Sequence, residues 1–252
     1  MRWWVILSWK KTRRRLAFAA LVFLSALFLY SEREAVSVFH DRPYGAVTNV
    51  PTEERRVALT FDISWGEREV KRVLDALFEA DIRGATFFLT GEWARAHPQF
   101  ARSIARAGYE IGTLGMRPMS FTRLTEEQMK RELEESIEAI HAVTGRAPVL
   151  FRPPNGDVDR RVLTVAGRLD LVVVLWDVNP DDWKHPGVET IVERVRQNIR
   201  PGSIVLLHAS DAAHETPEAL LHIARTLKRS GYACVTVSEL IRGYQGQAKL
   251  VE

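Results

Sequence analysis

Seven apolar runs of strand length alternate with six segments of helical period along this chain, and that alternation constrains its fold more than any other feature. The runs are 57–61 (VALTF), 85–90 (ATFFLT), 109–114 (YEIGTL), 149–152 (VLFR), 171–178 (LVVVLWDV), 203–208 (SIVLLH) and 233–237 (ACVTV). Between them the apolar positions recur every three or four residues over 67–80, 92–107, 125–143, 158–168, 188–198 and 217–229, the period of an amphipathic helix. Nearly continuous apolar strands separated by such helices predict a parallel sheet covered by helices. Seven units suit a barrel better than an open doubly wound sheet, which the pattern alone leaves open. Helix starts are marked as well. Ser64 to Glu67 and Thr125 to Gln128 have capping-box spacing, and Thr216-Pro217 fits an N-cap followed by Pro at the first helical position.

Charge separates the N-terminus from the rest. Residues 1–34 contain Arg2, Lys10, Lys11, Arg13, Arg14, Arg15 and Arg33 against Glu32 and Glu34, whereas the whole chain is only +3. Everything after residue 34 is therefore slightly acidic, and the high isoelectric point is no sign of a nucleic-acid partner. The basic segment 1–15 precedes an apolar run, LAFAALVFLSALFLY, that spans roughly 22 Å as a helix against a hydrocarbon core of roughly 30 Å. Snorkelling Arg14 and Arg15 shorten the gap. A cleavable signal shares this layout, but no small-x-small cleavage site follows Tyr30. The expectation is a single-pass anchor over 16–31 with its N-terminus cytoplasmic, a linker over 32–55, a domain over 56–243 outside the membrane, and a tail over 244–252. The lone Cys234 leaves no internal disulfide and no Cys-cluster metal site.

Sites in parallel α/β folds form at the C-terminal ends of the strands. Here those ends carry Asp62, then Arg152-Pro153-Pro154, then Asp181-Asp182-Trp183, and His208. Each has a bland explanation. Asp62 fits a helix cap, Arg152 a static ion pair with Asp181 or Asp182, Trp183 a core position, and His208 a satisfied core histidine. Together they describe hydrolysis: an Asp that takes a proton from water, a His that gives one to a leaving amine, and an Arg–Asp pair behind them. No glycine spacing matches a dinucleotide or phosphate loop.

In order, TFDIS, FRPPNG, NPDDW and LLHAS resemble the motifs of the polysaccharide deacetylases (the NodB homology domain, carbohydrate esterase family 4). ALTFDISWG and LLHASD behind a short anchor look most like the PdaB-type deacetylases of spore-forming bacteria. The resemblance covers about 55–242 and implies a distorted (β/α)7 barrel. It implies that Asp62 is the catalytic base, His208 the general acid, and Arg152 and Asp182 the pair that positions them. Trp183, Pro153 and Asn155 are the expected substrate contacts, and the implied substrate is an N-acetylated amino sugar in peptidoglycan or a related glycan.

The family also holds a divalent metal, commonly zinc, through a second Asp and two His. In this chain those positions fall on Ile63, Leu114 and Pro118, so no metal ligand is expected from the family's set. Two functions follow from the sequence. One is a membrane-anchored deacetylase acting on a wall glycan during spore cortex formation, and the other is a glycan-binding or scaffolding module that has lost turnover along with the metal triad.

Overall fold

The computed structural model of the protein describes residues 45–242 and the short strand at 250–251. The anchor expected over 16–31 and its basic flank lie outside the described residues, as does the first part of the expected linker. Among the described residues no helix is long and apolar enough to cross a membrane.

The elements follow in the order β1 (Ala46–Val47), β2 (Arg56–Ile63), α1 (Arg68–Glu79), β3 (Thr86–Leu89), α2 (Gly91–Ala96), α3 (Pro98–Arg106), β4 (Glu110–Thr113), α4 (Glu126–Thr144) and β5 (Leu150–Phe151). Then come α5 (Arg160–Arg168), β6 (Val172–Val174), α6 (Val188–Asn198), β7 (Ile204–His208), α7 (Thr216–Arg229), β8 (Ala233–Cys234), α8 (Val237–Arg242) and β9 (Leu250–Val251). The strands pair in the order β7-β2-β3-β4-β5-β6-β1-β9, and every pairing from β7 to β1 is parallel. The two edges approach one another. Asn49, just beyond β1, bridges Ser203 before β7, and Val178, four residues beyond β6, bridges Val205. The sheet is thus a distorted, incompletely closed barrel.

The seventh stave is not the one the periodicity picks out. The 233–237 run contributes only two residues, which pair with Arg56 and Val57 at the foot of β2, and the chain then turns into α8. The stave beside β6 is β1, drawn from the segment read as linker, with Ala46 and Val47 buried and in register with Val173 and Val174. A two-residue strand has too few positions to show a period, so it looks like loop in the sequence. The tail likewise contributes β9, antiparallel to β1. The single helix expected over 92–107 is two. Pro98 drives His97 out of helical geometry (φ −123°, ψ 55°), ending α2 and starting α3.

Alternation along each strand sorts the side chains into two layers. Val57, Leu59, Phe61 and Ile63 face outward and pack with Phe87, Leu89, Val205, Leu207 and the apolar faces of α1, α3 and α7. Ala58, Phe88, Leu114, Leu150, Val174 and Ile204 form an inner cluster, closed by Val237, Leu240 and Ile241 of α8. The even positions of β2 therefore face the interior, and Asp62 is the last of them.

Candidate active site

Parallel strands bring Asp62, Arg152 and His208 to one rim, because each stands at or just past a strand's C-terminal end. Asp62 and His208 are direct register partners across β2 and β7. Two ion pairs hold them. Arg152 Nη1 donates to Asp62 Oδ1 at 2.7 Å, and His208 Nδ1 meets Asp182 Oδ1 at 2.8 Å.

Arg152 is fully buried, and each of its side-chain nitrogens has an acceptor. Nε donates to the Val174 carbonyl at 3.3 Å and Nη2 to the Leu175 carbonyl at 3.1 Å, while the guanidinium lies over the Phe88 ring at 4.1 Å and the Trp176 ring at 5.6 Å. Burial pulls Arg152 below its usual value against the opposing pull of Asp62, but a guanidinium remains charged. The partner of Arg152 is thus Asp62, and neither Asp181 nor Asp182. The loop that delivers Arg152 is braced by Pro154–Gly156, with Asn155 (φ 59°) and Gly156 (φ 71°) in left-handed geometry. A Cβ on Gly156 would lie 3.1 Å from the Trp176 ring, so the tight turn presses directly on the indole beside Arg152.

Asp182 is completely buried and accepts three hydrogen bonds. They come from the His208 backbone N–H at 2.7 Å, the His208 ring and the Thr216 hydroxyl at 2.7 Å. Burial alone would lower the His208 pKa. The bond to Asp182, the charge of Asp182 and the charge of Asp62 outweigh it and hold the imidazole above its usual value. Thr216 was expected to cap the final long helix. It opens α7 with its hydroxyl turned onto Asp182, and its spacing from Asp182 gives no hint of that contact in the sequence. Among the described residues no hydrogen bond is made to Asp62 Oδ2 or His208 Nε2.

Asp62 does not cap α1 either. Asp211 Oδ1 takes the Arg68 and Glu69 amides at 2.9 and 3.1 Å, so the Ser64–Glu67 capping box is replaced by a carboxylate three residues beyond His208. The Thr125–Gln128 box forms as expected. Of the expected substrate contacts, Trp183 and Asn155 are exposed, whereas Pro153 is buried and shapes its loop.

The family's metal positions carry no ligand side chain. Ile63 is buried in the outer layer, Leu114 is buried in the inner cluster, and Pro118 is exposed. The Pro118 loop is instead tied down by Arg117, which pairs with the buried Glu132 of α4. Among the described residues no group of three or more His, Cys, Asp or Glu side chains is arranged to hold a metal. Hydrocarbon donors cannot replace carboxylate and imidazole, so the family's metal does not fit this site.

The profile of the polysaccharide deacetylase family matches residues 49–174. Over 204 residues the chain is 35% identical to a peptidoglycan-N-acetylglucosamine deacetylase of Bacillus cereus, covering 79% of this chain and 95% of that protein. It is 32% identical over 185 residues to the uncharacterized protein YlxY of Bacillus subtilis, covering 73% of this chain but only 57% of YlxY. Among solved structures, a mutant of BA3943, a CE4 family pseudoenzyme from Bacillus anthracis, with restored enzymatic activity, superposes with a TM-score of 0.75 at 30% identity, over 80% of this chain and 72% of that one. The strand-end motifs, the parallel α/β fold and these matches agree, and the chain belongs to the polysaccharide deacetylase family.

Proposed function

We propose that this protein is a membrane-anchored deacetylase that removes N-acetyl groups from peptidoglycan or a related glycan outside the cytoplasmic membrane. The observation that carries the reading is the assembled pair: Asp62 held by Arg152, and His208 held by Asp182, on adjacent strands. The substrate class rests on the named activity of the Bacillus cereus relative. The anchor rests on the apolar run 16–30 behind KKTRRR, and a role in the spore cortex rests on the likeness to PdaB-type proteins.

In the reaction, Asp62 Oδ2 takes a proton from water as the water oxygen bonds to the acetyl carbon. His208 Nε2 then gives its proton to the amide nitrogen as the C–N bond breaks, leaving a free amine and acetate. Transfer of the Asp62 proton back to His208 through solvent resets the pair. Such a pair contributes about 10²–10⁴ in rate. Arg152, fully buried behind Asp62, does not reach a substrate carbonyl to polarise it. Turnover is therefore slow beside that of a site with a Lewis acid, whose contribution is several kcal/mol.

A second reading has its own support. The missing ligand set and the similarity to a pseudoenzyme favour a module that binds glycan without hydrolysing it. Cosedimentation with purified peptidoglycan, combined with a count of new free amines, separates the two. Binding with new amines supports the deacetylase, and binding without them supports the module. Failure to bind contradicts both.

A further inference from the structure

Four large apolar side chains stand out as exposed among the described residues: Trp65 (53%), Phe78 (78%), Val149 (54%) and Trp183 (46%). Their placement is uneven. Val149 precedes β5, and Phe78 ends α1, which runs back from the rim. Both therefore lie at the end of the barrel away from the site. The two indoles lie at the site end. Trp183 directly follows Asp182, and Trp65 is three residues beyond Asp62, so the exposed indoles belong to the loops that carry the two halves of the acid–base pair.

Trp65 is held out by a loop that is pinned just beyond it. The Gly66 carbonyl accepts the Trp93 indole N–H at 2.7 Å. Gly66 has φ +82°, and a Cβ there would lie 2.5 Å from Asp211 Cγ, so loop and carboxylate are in close contact. Asp211 also takes the first amides of α1. Nothing in this bracing uses the Trp65 ring itself. A large apolar ring left half in water gains little for the fold, whereas a ring carried on a braced backbone costs less entropy when a ligand covers it.

We propose that Trp65 is a stacking platform for a second pyranose of the glycan strand, the unit next to the one whose N-acetyl group lies at Asp62 and His208. The C–H face of a β-linked pyranose is apolar and flat, and matches an indole face in size, while its hydroxyls stay in water at the rim. Trp65 is thus a determinant of chain-length preference and takes no part in the chemistry. This rests on the glycan reading given under Proposed function.

The test is calorimetric titration of the full chain with N-acetylglucosamine and its β-1,4-linked oligomers of two to six units, for the parent, Trp65→Ala and Trp65→Tyr. Trp65→Ala is expected to bind the oligomers of two or more units about tenfold more weakly and the monomer unchanged, a loss of the size of one aromatic contact. Trp65→Tyr is expected to recover most of the loss, and the Tm of both variants to stay at the parent value. Equal binding by parent and Trp65→Ala at every length overturns the platform and leaves the glycan reading intact. A parent that binds neither these oligomers nor peptidoglycan overturns both.

Discussion

Asp182 accepts three hydrogen bonds with no exposure to water, and His208 depends on them. A histidine whose pKa is raised by folding stabilises the fold while it is protonated. That contribution is complete below the usual value of 6.5 and is lost as pH rises through the higher folded value. The same titration sets the alkaline limit of activity, because the general acid must carry its proton. Asp182→Asn removes the bond and the charge that oppose burial. The His208 titration, followed by NMR of its ring protons, is expected to move to lower pH, together with the alkaline limb of the pH–rate profile. An unmoved titration would show that Asp182 does not set it. Asp62→Asn is expected to abolish turnover. Because it leaves the buried Arg152 charge without its partner, it is also expected to cost about 3 kcal/mol in urea unfolding. Parent-level acetate release by that variant would remove Asp62 from the role of base. Cys234, which burial pushes up to about 12, carries no thiolate at neutral pH and acts as a small apolar group.

At the level of elements, the helix starts show what a sequence can and cannot reveal. The Thr125–Gln128 box is local, and its four residues contain the whole interaction, so spacing alone identifies it. The cap of α1 comes from Asp211, more than 140 residues away, and no local pattern can show it. Asp211→Ala is expected to cost about 1–2 kcal/mol of stability by chemical denaturation. Ser64→Ala is expected to change nothing measurable. The reverse ranking would restore the local box. The same division explains the site. Asp62, Arg152 and His208 were legible because each is a polar residue at or just past the end of an apolar strand, and Asp182 because it lies in the loop that follows one. Who pairs with whom was not: the expected partner of Arg152 was Asp181 or Asp182, and only the strand order brings Asp62 to it instead. Thr216 was hidden for the same reason.

At the scale of the whole molecule, the six strand–helix units followed from periodicity, and the closure of the barrel did not. Closure depends on β1, two residues long, and on single bridges at Asn49 and Val178. Gly202 is the hinge of that seam. Its carbonyl accepts the Val50 N–H at 2.9 Å, its φ is +83°, and a Cβ would lie 1.6 Å from the Val50 carbonyl oxygen. Gly202→Ala is expected to cost more than about 2 kcal/mol and to raise amide exchange of 46–50 ahead of the rest of the barrel. Uniform exchange would place the weak point elsewhere.

The acid–base pair and the absent ligand set meet in one measurement, acetate release from purified peptidoglycan by the full chain, with EDTA or added zinc and beside Asp62→Asn. Slow release that EDTA does not reduce, zinc does not raise and the variant lacks is the expected result. Release that vanishes with EDTA, or no release from a protein that still binds the glycan, would contradict hydrolysis by Asp62 and His208 alone.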